Sequence, residues 1–399
     1  MRLTTAAILA TGILMAGSTG AWATPRAAIA APFRPGSLHM IDARVGWAQN
    51  GGEVFHTTDG GQAWTDVTPS GAHRTGPAGS TPPPGTFFLS GGSAWLTTTS
   101  GRDYYNGRIV VYRTTDGGLH WLAANVPATG AGTPSFANGR DGWLFVSKGP
   151  GAGQNPYILL RTVDGGAHWQ VVAQYTPTRQ SHGSFPGCNC TSAVTFRNHV
   201  TGWSTGTQFA LQLRDWLWIS KDGGHTWQHQ MLPIPQGQNV YYTDAPVFSG
   251  QRDGAFLAVL QPSSGQGRSY ALYVTHDGGA TWTRGALVSA LGDGIISTSV
   301  VDPSHAWISD GRRLHRTSDG GKHWTALSPT VPGFARGFWT NGRITPSSPS
   351  TTIDFVSPTT GFAYDPQQHG GRPFILVTHD GGATWQAVYP LSTSLPLHG

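Results

Sequence analysis

Seven aspartates in this 399-residue chain share one setting. Asp59, Asp116, Asp164, Asp222, Asp277, Asp319 and Asp380 each sit in a Thr/Ser-x-Asp-Gly-Gly-x-x-Trp octapeptide, which ends at Trp64, Trp121, Trp169, Trp227, Trp282, Trp324 and Trp385. A carboxylate can serve as general acid, general base or nucleophile. Glycoside hydrolysis needs two of them across a cleft, and no octapeptide contains a second one. The neighbours suit a turn instead. An Asp side chain accepts hydrogen bonds from backbone amides just downstream, Gly-Gly tolerates positive φ, and the Trp ring can cover the turn or the next sheet. Seven copies read as a repeated corner, not as seven active sites.

Other reactive groups are sparse. Glu53 is the one glutamate, and Lys148, Lys221 and Lys322 are the only lysines. Outside the octapeptides, Asp103, Asp215, Asp244, Asp293 and Asp310 fall where connecting loops are expected, and nothing in the sequence pairs them. There is no H-E-x-x-H or phosphate-binding loop. Cys188 and Cys190, in "GCNC", form a local disulfide if the chain is exported. They supply too few ligands for a metal, so neither metal nor cofactor is expected. The net charge of +5 arises from few acids and no Lys/Arg run, which argues against nucleic acid as a partner. Residues 1–23 read as a signal peptide, with Arg2 before an apolar stretch and small residues at 21–23 or near 30 for cleavage. The protein is therefore expected to be secreted or extracytoplasmic, an uncleaved membrane anchor being the alternative. Residues 24–36 read as a linker.

The octapeptides recur 42 to 61 residues apart, a rigid unit with variable gaps. Each follows a small-residue turn and a strand usually led by an aromatic, such as "VGWAQN" (45–50), "DGWLFV" (141–146) and "TGFAYD" (360–365). A further strand precedes that one, as in "AVTF" (193–196), and another follows the box, as in "WQVV" (169–172). The unit is a four-stranded antiparallel meander, and such sheets need neighbours to cover their edges and faces. The predicted fold is all-β: a seven-bladed β-propeller of four-stranded antiparallel blades over 37–390. The blades are expected near 37–67, 86–124, 133–173, 192–230, 245–285, 297–327 and 350–390, with 391–399 as a C-terminal tail.

The octapeptides resemble the Asp-box, or BNR, repeat of sialidases, of some xyloglucan-acting endoglucanases and of sortilin-type receptors. Combined with the "GW" strands, the pattern is most similar to photosystem II assembly and stability factor-like propellers. The resemblance implies the propeller fold and an exported assembly scaffold, with a protein partner that is membrane-associated in such systems. A sialidase would also need an Arg cluster, a Tyr–Glu nucleophile pair and an Asp acid/base. Glu53 lies three residues before a box, and "FRPG" (33–36) lacks the Ile of the family's Arg-Ile-Pro signature.

In the meander, first-to-second and third-to-fourth turns share a face with the boxes. The long, unrepeated segments lie on the opposite face, where binding usually resides. Candidate binding residues there are Arg102, Tyr104, Tyr105, Arg179, Tyr241, Tyr242, Arg336, Trp339 and Arg343, since Arg, Tyr and Trp anchor interfaces. The reading is of a monomeric, non-catalytic scaffold that holds a protein partner. The alternative is a glycoside hydrolase of sialidase-like or xyloglucanase-like type, or a carbohydrate- or cell-wall-binding propeller.

Overall fold

The computed structural model describes residues 35–72, 85–100, 105–149, 156–176, 179–182, 191–207, 216–265, 267–289, 297–309, 313–330, 352–365 and 374–389. The expected signal peptide, most of the linker, the C-terminal tail, and Cys188 and Cys190 lie outside them.

Seven antiparallel sheets follow one another along the chain as the blades of a propeller. Blade 1 runs Ser37–Met40, Gly46–Asn50, Glu53–Thr57 and Thr65–Asp66, from the innermost strand outward. Blade 7 repeats the order with Thr352–Phe355, Gly361–Asp365, Phe374–Thr378 and Gln386–Tyr389. Among the described residues no blade borrows a strand, and blade 7 packs directly against blade 1. The one helical segment among the described residues is a short 3-10 turn, Ser70–Ala72.

Two blades depart from four strands. Blade 3 gains an outer strand, Arg179–His182, beyond Gln170–Thr176. Blade 5 has its inner edge in two pieces, Gln238–Thr243 and Val247–Phe248, on the nine-residue strand Gly254–Pro262. The first piece falls in 233–246, which the sequence marks as a connecting loop. Its Pro- and Gly-bearing ends ("PIPQG", "DAP") disguise the strand between them.

The junctions between blades explain the Gly-Trp pattern. In "DGWLFV", Trp143 stacks on Phe196, the last inner-strand residue of the next blade, at 3.6 Å between centroids. Phe196 in turn lies edge-on to the box tryptophan Trp227 of its own blade at 5.9 Å. The same sequence of rings recurs as Trp95–Phe136–Trp169 and Trp307–Phe355–Trp385. At these three junctions the leading Trp also donates its indole N–H into the next blade's box: Trp95 to the Gly165 carbonyl, Trp143 to Gly223 and Trp307 to Gly381, at 2.8 to 3.0 Å. Trp47 donates instead to the Ser90 carbonyl in the first-to-second turn of blade 2, and Trp203 to the Gln230 side chain of its own blade. Where a Gly precedes the Trp, it lies against the residue that ends its own blade's inner strand, and before Trp95 and Trp307 the residue is Ala. A Cβ on Gly142 would stand 2.2 Å from Phe136, and one on Gly202 2.3 Å from Phe196. Offset stacking adds about 0.5–1.5 kcal/mol per pair to the area buried, and the N–H bond about 1 kcal/mol.

Where the sequence lacks this Trp, the junction changes. Blade 5 has Ala255, and there the Ala286 amide donates to Gly321 of blade 6 at 2.7 Å. Blade 7 has Phe362, which joins Met40, Phe55 and Trp64 of blade 1 in one buried cluster.

Trp143→Phe keeps the stack and removes the N–H, leaving the Gly223 carbonyl without its donor. Chemical denaturation should show a loss of about 1–2 kcal/mol. Unchanged stability would show that the cross-junction bond contributes nothing.

Candidate functional site

The two faces divide the candidate residues. On the box face, all seven octapeptides adopt one geometry. The leading Thr or Ser hydroxyl donates to the Asp Oδ1 at 2.7 to 2.9 Å. The same hydroxyl accepts the amide of the second Gly at 2.9 to 3.1 Å. The Asp Oδ1 accepts the amide of the residue before the Trp at 2.9 to 3.0 Å. The first Gly, at φ between 73° and 77°, donates its amide to the first-to-second turn of its own blade. Both turn types therefore share this face and lock to each other.

The hydroxyl at the head of the octapeptide is the hub that sequence reasoning passed over. It was visible, since that position holds only Thr or Ser. Thr275 is buried while Asp277 is exposed, so the Asp is not the buried acceptor that its sequence context suggests.

These hydrogen bonds hold the carboxylates of Asp116, Asp164, Asp222, Asp277, Asp319 and Asp380 below their ordinary range. At Asp277 the Thr281 hydroxyl and amide outweigh a small burial penalty and hold it at about 2. At Asp380 burial pushes upward, but the bonds from Thr384 and Thr378 prevail, again to about 2. A depressed carboxyl stabilises the fold above its unfolded value near 4, and that contribution disappears as pH falls through the folded value.

On the opposite face, residues 241–244 connect three blades. Tyr242 forms an antiparallel bridge with Thr207 at the end of blade 4. The buried Thr243 hydroxyl accepts the Gly206 amide at 3.2 Å and lies 3.1 Å from the Trp216 carbonyl, both in blade 4. Asp244 accepts from the Thr298 hydroxyl of blade 6 at 2.9 Å and from Tyr242. It keeps part of its surface open while protein surrounds it, and this burial pushes its carboxyl up to about 6 against the lowering effect of the two hydroxyls. Burial, with the Asp244 charge, pushes Tyr242 up to about 12. Tyr241 lies beneath the Arg268 guanidinium, 4.6 Å from its ring centroid.

The structure thus places Tyr241 and Tyr242 together, but on a strand and not in a free loop. Tyr105 packs against the Gly149 backbone of the next blade. Arg179 lies on the added outer strand of blade 3, and its side chain is outside the described residues. Arg102, Tyr104, Arg336, Trp339 and Arg343 also lie outside them, as do Asp103, Asp215, Asp293 and Asp310. Glu53 is exposed at the start of a strand. Among the described residues no three His, Cys, Asp or Glu side chains gather into a metal-binding set.

No family model matches the chain. Photosystem II stability/assembly factor HCF136, chloroplastic, of Arabidopsis thaliana is 28% identical over 125 residues, a stretch that spans 31% of this chain and 29% of that protein. Among solved structures, the GH74 xyloglucanase from Xanthomonas campestris matches with a TM-score of 0.54 at 14% identity, over 89% of this chain and 55% of that one. The structure of YCF48 bound to D1 peptide matches with a TM-score of 0.46 at 17% identity, over 80% of this chain and 90% of that one. At these identities the structural likeness is one of fold.

Thr275→Val removes an acceptor that a buried amide needs and should cost about 1–3 kcal/mol. Asp277→Ala, at an exposed cap, should cost about 1 kcal/mol. Equal losses, measured by thermal and urea unfolding, would place the hub at the carboxylate instead.

Proposed function

We propose that this chain is an exported, non-catalytic binding or assembly scaffold that engages a protein partner through the face opposite the boxes. The observation that carries the reading is the raised margin of blade 5. Its second strand starts at the box face, at Gly254, and runs nine residues to Pro262, whereas the corresponding strands of blades 1 and 2 have five and six. The extra length stands on the opposite face, where Tyr241 and Arg268 form a stacked cation–aromatic pair. Such pairs suit protein recognition. The local likeness to a protein named as a stability and assembly factor supports this reading. It does not commit the chain to a photosynthetic partner.

A glycan-directed reading rests on one observation. Asp244, near pKa 6 and beside a tyrosine hydroxyl, has the protonation behaviour of a general acid. Hydrolysis would require a second carboxylate about 5–10 Å away, and of the five loop-face aspartates only Asp244 lies within the described residues.

Partner capture by the purified chain should fall at least about tenfold on Tyr241→Ala with Arg268→Ala, the scale of a lost interface anchor. It should persist in Asp277→Ala. Turnover of a glycoside panel that vanishes in Asp244→Asn would overturn the scaffold reading. Export has its own check: the mature protein should begin at Thr24 or Ala31, and a chain retaining Met1 would point to the anchor.

A further inference from the structure

Among the described residues, the innermost strand of each blade is paired along one edge, and apart from the bridge between Tyr242 and Thr207 the backbone groups of its other edge have no strand partner. Neighbouring side chains serve them, and at most junctions these are neutral. Thr97 donates to the Gly132 carbonyl between blades 2 and 3, and Thr243 on the inner strand of blade 5 accepts the Gly206 amide from the second strand of blade 4. Between blades 6 and 7, Ser297 and Ser299 accept the amides of Ile353 and Phe355. Among the described residues, two junctions use a carboxylate. Asp244 takes the Thr298 hydroxyl between blades 5 and 6. Asp354 takes the Met40 amide at 2.6 Å between blades 7 and 1.

Asp354 and Ser299 occupy equivalent places. Each pairs with the residue leading the second strand, Phe362 and Trp307 respectively, and each accepts the amide of the last inner-strand residue of the next blade. A hydroxyl therefore suffices for this bond, and a carboxylate adds only its ability to titrate. We propose that the propeller ring carries a proton latch: Asp244 and Asp354 hold their two junctions closed when protonated and loosen them when ionised.

The sign follows from burial. A closed junction surrounds each carboxyl with protein and favours the neutral acid, whereas a parted junction admits water and restores ordinary acidity. Burial raises both groups, Asp244 to about 6. Among the described residues, the groups that face Asp244 are Tyr242 on its own blade and Thr298 on blade 6, both hydroxyls, while the second strand behind it presents Leu257. Asp354 faces His39 of blade 1 at 3.9 Å, whose charge when present works against burial, and the Met40 amide. For Asp244 the ratio of closed to open junction should rise as pH falls from its folded value toward about 4, by at most about tenfold per unit. Above the folded value the latch contributes nothing. Asp277 and Asp380 of the boxes do not share this behaviour, because their carboxyls are depressed and ionise well below this window. His56, which burial beside Trp47 holds below its ordinary value, opposes it by destabilising the fold on acidification. A site-specific readout is therefore needed.

The test is carbon-13 NMR titration of the two carboxyls, with hydrogen exchange at the Met40 amide corrected for its intrinsic rate, in the whole mature chain from about pH 4.5 to 7.5. Asp244 should titrate near 6, and Met40 protection should fall as pH rises. Asp354→Ser, which copies blade 6, should keep the protection and lose its pH dependence. Asp354→Asn offers the same comparison if the serine variant does not fold. An Asp244 titrating near 4, or a Met40 dependence unchanged in either variant, would overturn the proposal.

Discussion

The ring depends on how one blade meets the next. A Trp leading the second strand stacks on the Phe that ends the neighbouring inner strand, and its N–H reaches a carbonyl in that neighbour's box. Three repeated sequence features meet at this contact. The Gly before the Trp leaves room for the Phe ring of its own blade, the Gly-Gly of the box exposes the carbonyl, and the box Trp closes the Phe from its edge. Because the contact links consecutive blades, a box serves the blade before it as much as its own. This gives the octapeptides a structural duty that needs no substrate.

The constraint also separates the faces. On the box face, turn residues bond to turn residues, and first-to-second turns lock onto third-to-fourth turns through the same amide in every blade. Local donors hold box carboxylates such as Asp277, Asp319 and Asp380 below their ordinary range. The opposite face lacks this repetition. There the blades differ in strand length, a Tyr–Arg pair stands on blade 5, and Asp244 is held by burial in the opposite protonation regime. Chemistry and recognition have more freedom on that face because the fold does not require its residues to be the same in each blade.

Much of this was legible in the sequence, for a physical reason. The octapeptide is specified by short-range geometry: an Asp bonding four residues ahead, two glycines at positive φ, a Trp after the turn. Local rules of that kind survive in a single sequence, and seven repetitions then fix the blade count. The Phe partner of the leading Trp was not legible, because it contacts a Trp some fifty residues away in sequence, as Phe196 does Trp143. The inner strand Gln238–Thr243 was hidden by the Pro and Gly around it. Asp354 was missed since the residues it meets across the junction, His39 and Met40, lie near the other end of the chain. Tyr241 and Tyr242 were marked by residue type alone, and type does not reveal whether a ring is free or built into a strand.

The division between faces can be tested through the lysines, of which the chain has three. Lys148 follows the second strand of blade 3, at its end away from the boxes, whereas Lys221 and Lys322 lie within boxes. Amine-reactive cross-linking of the protein to its captured partner, read by mass spectrometry, reports which of them the partner approaches. The account predicts partner cross-links at Lys148 and none at Lys221 or Lys322. Cross-links confined to the two box lysines would contradict it.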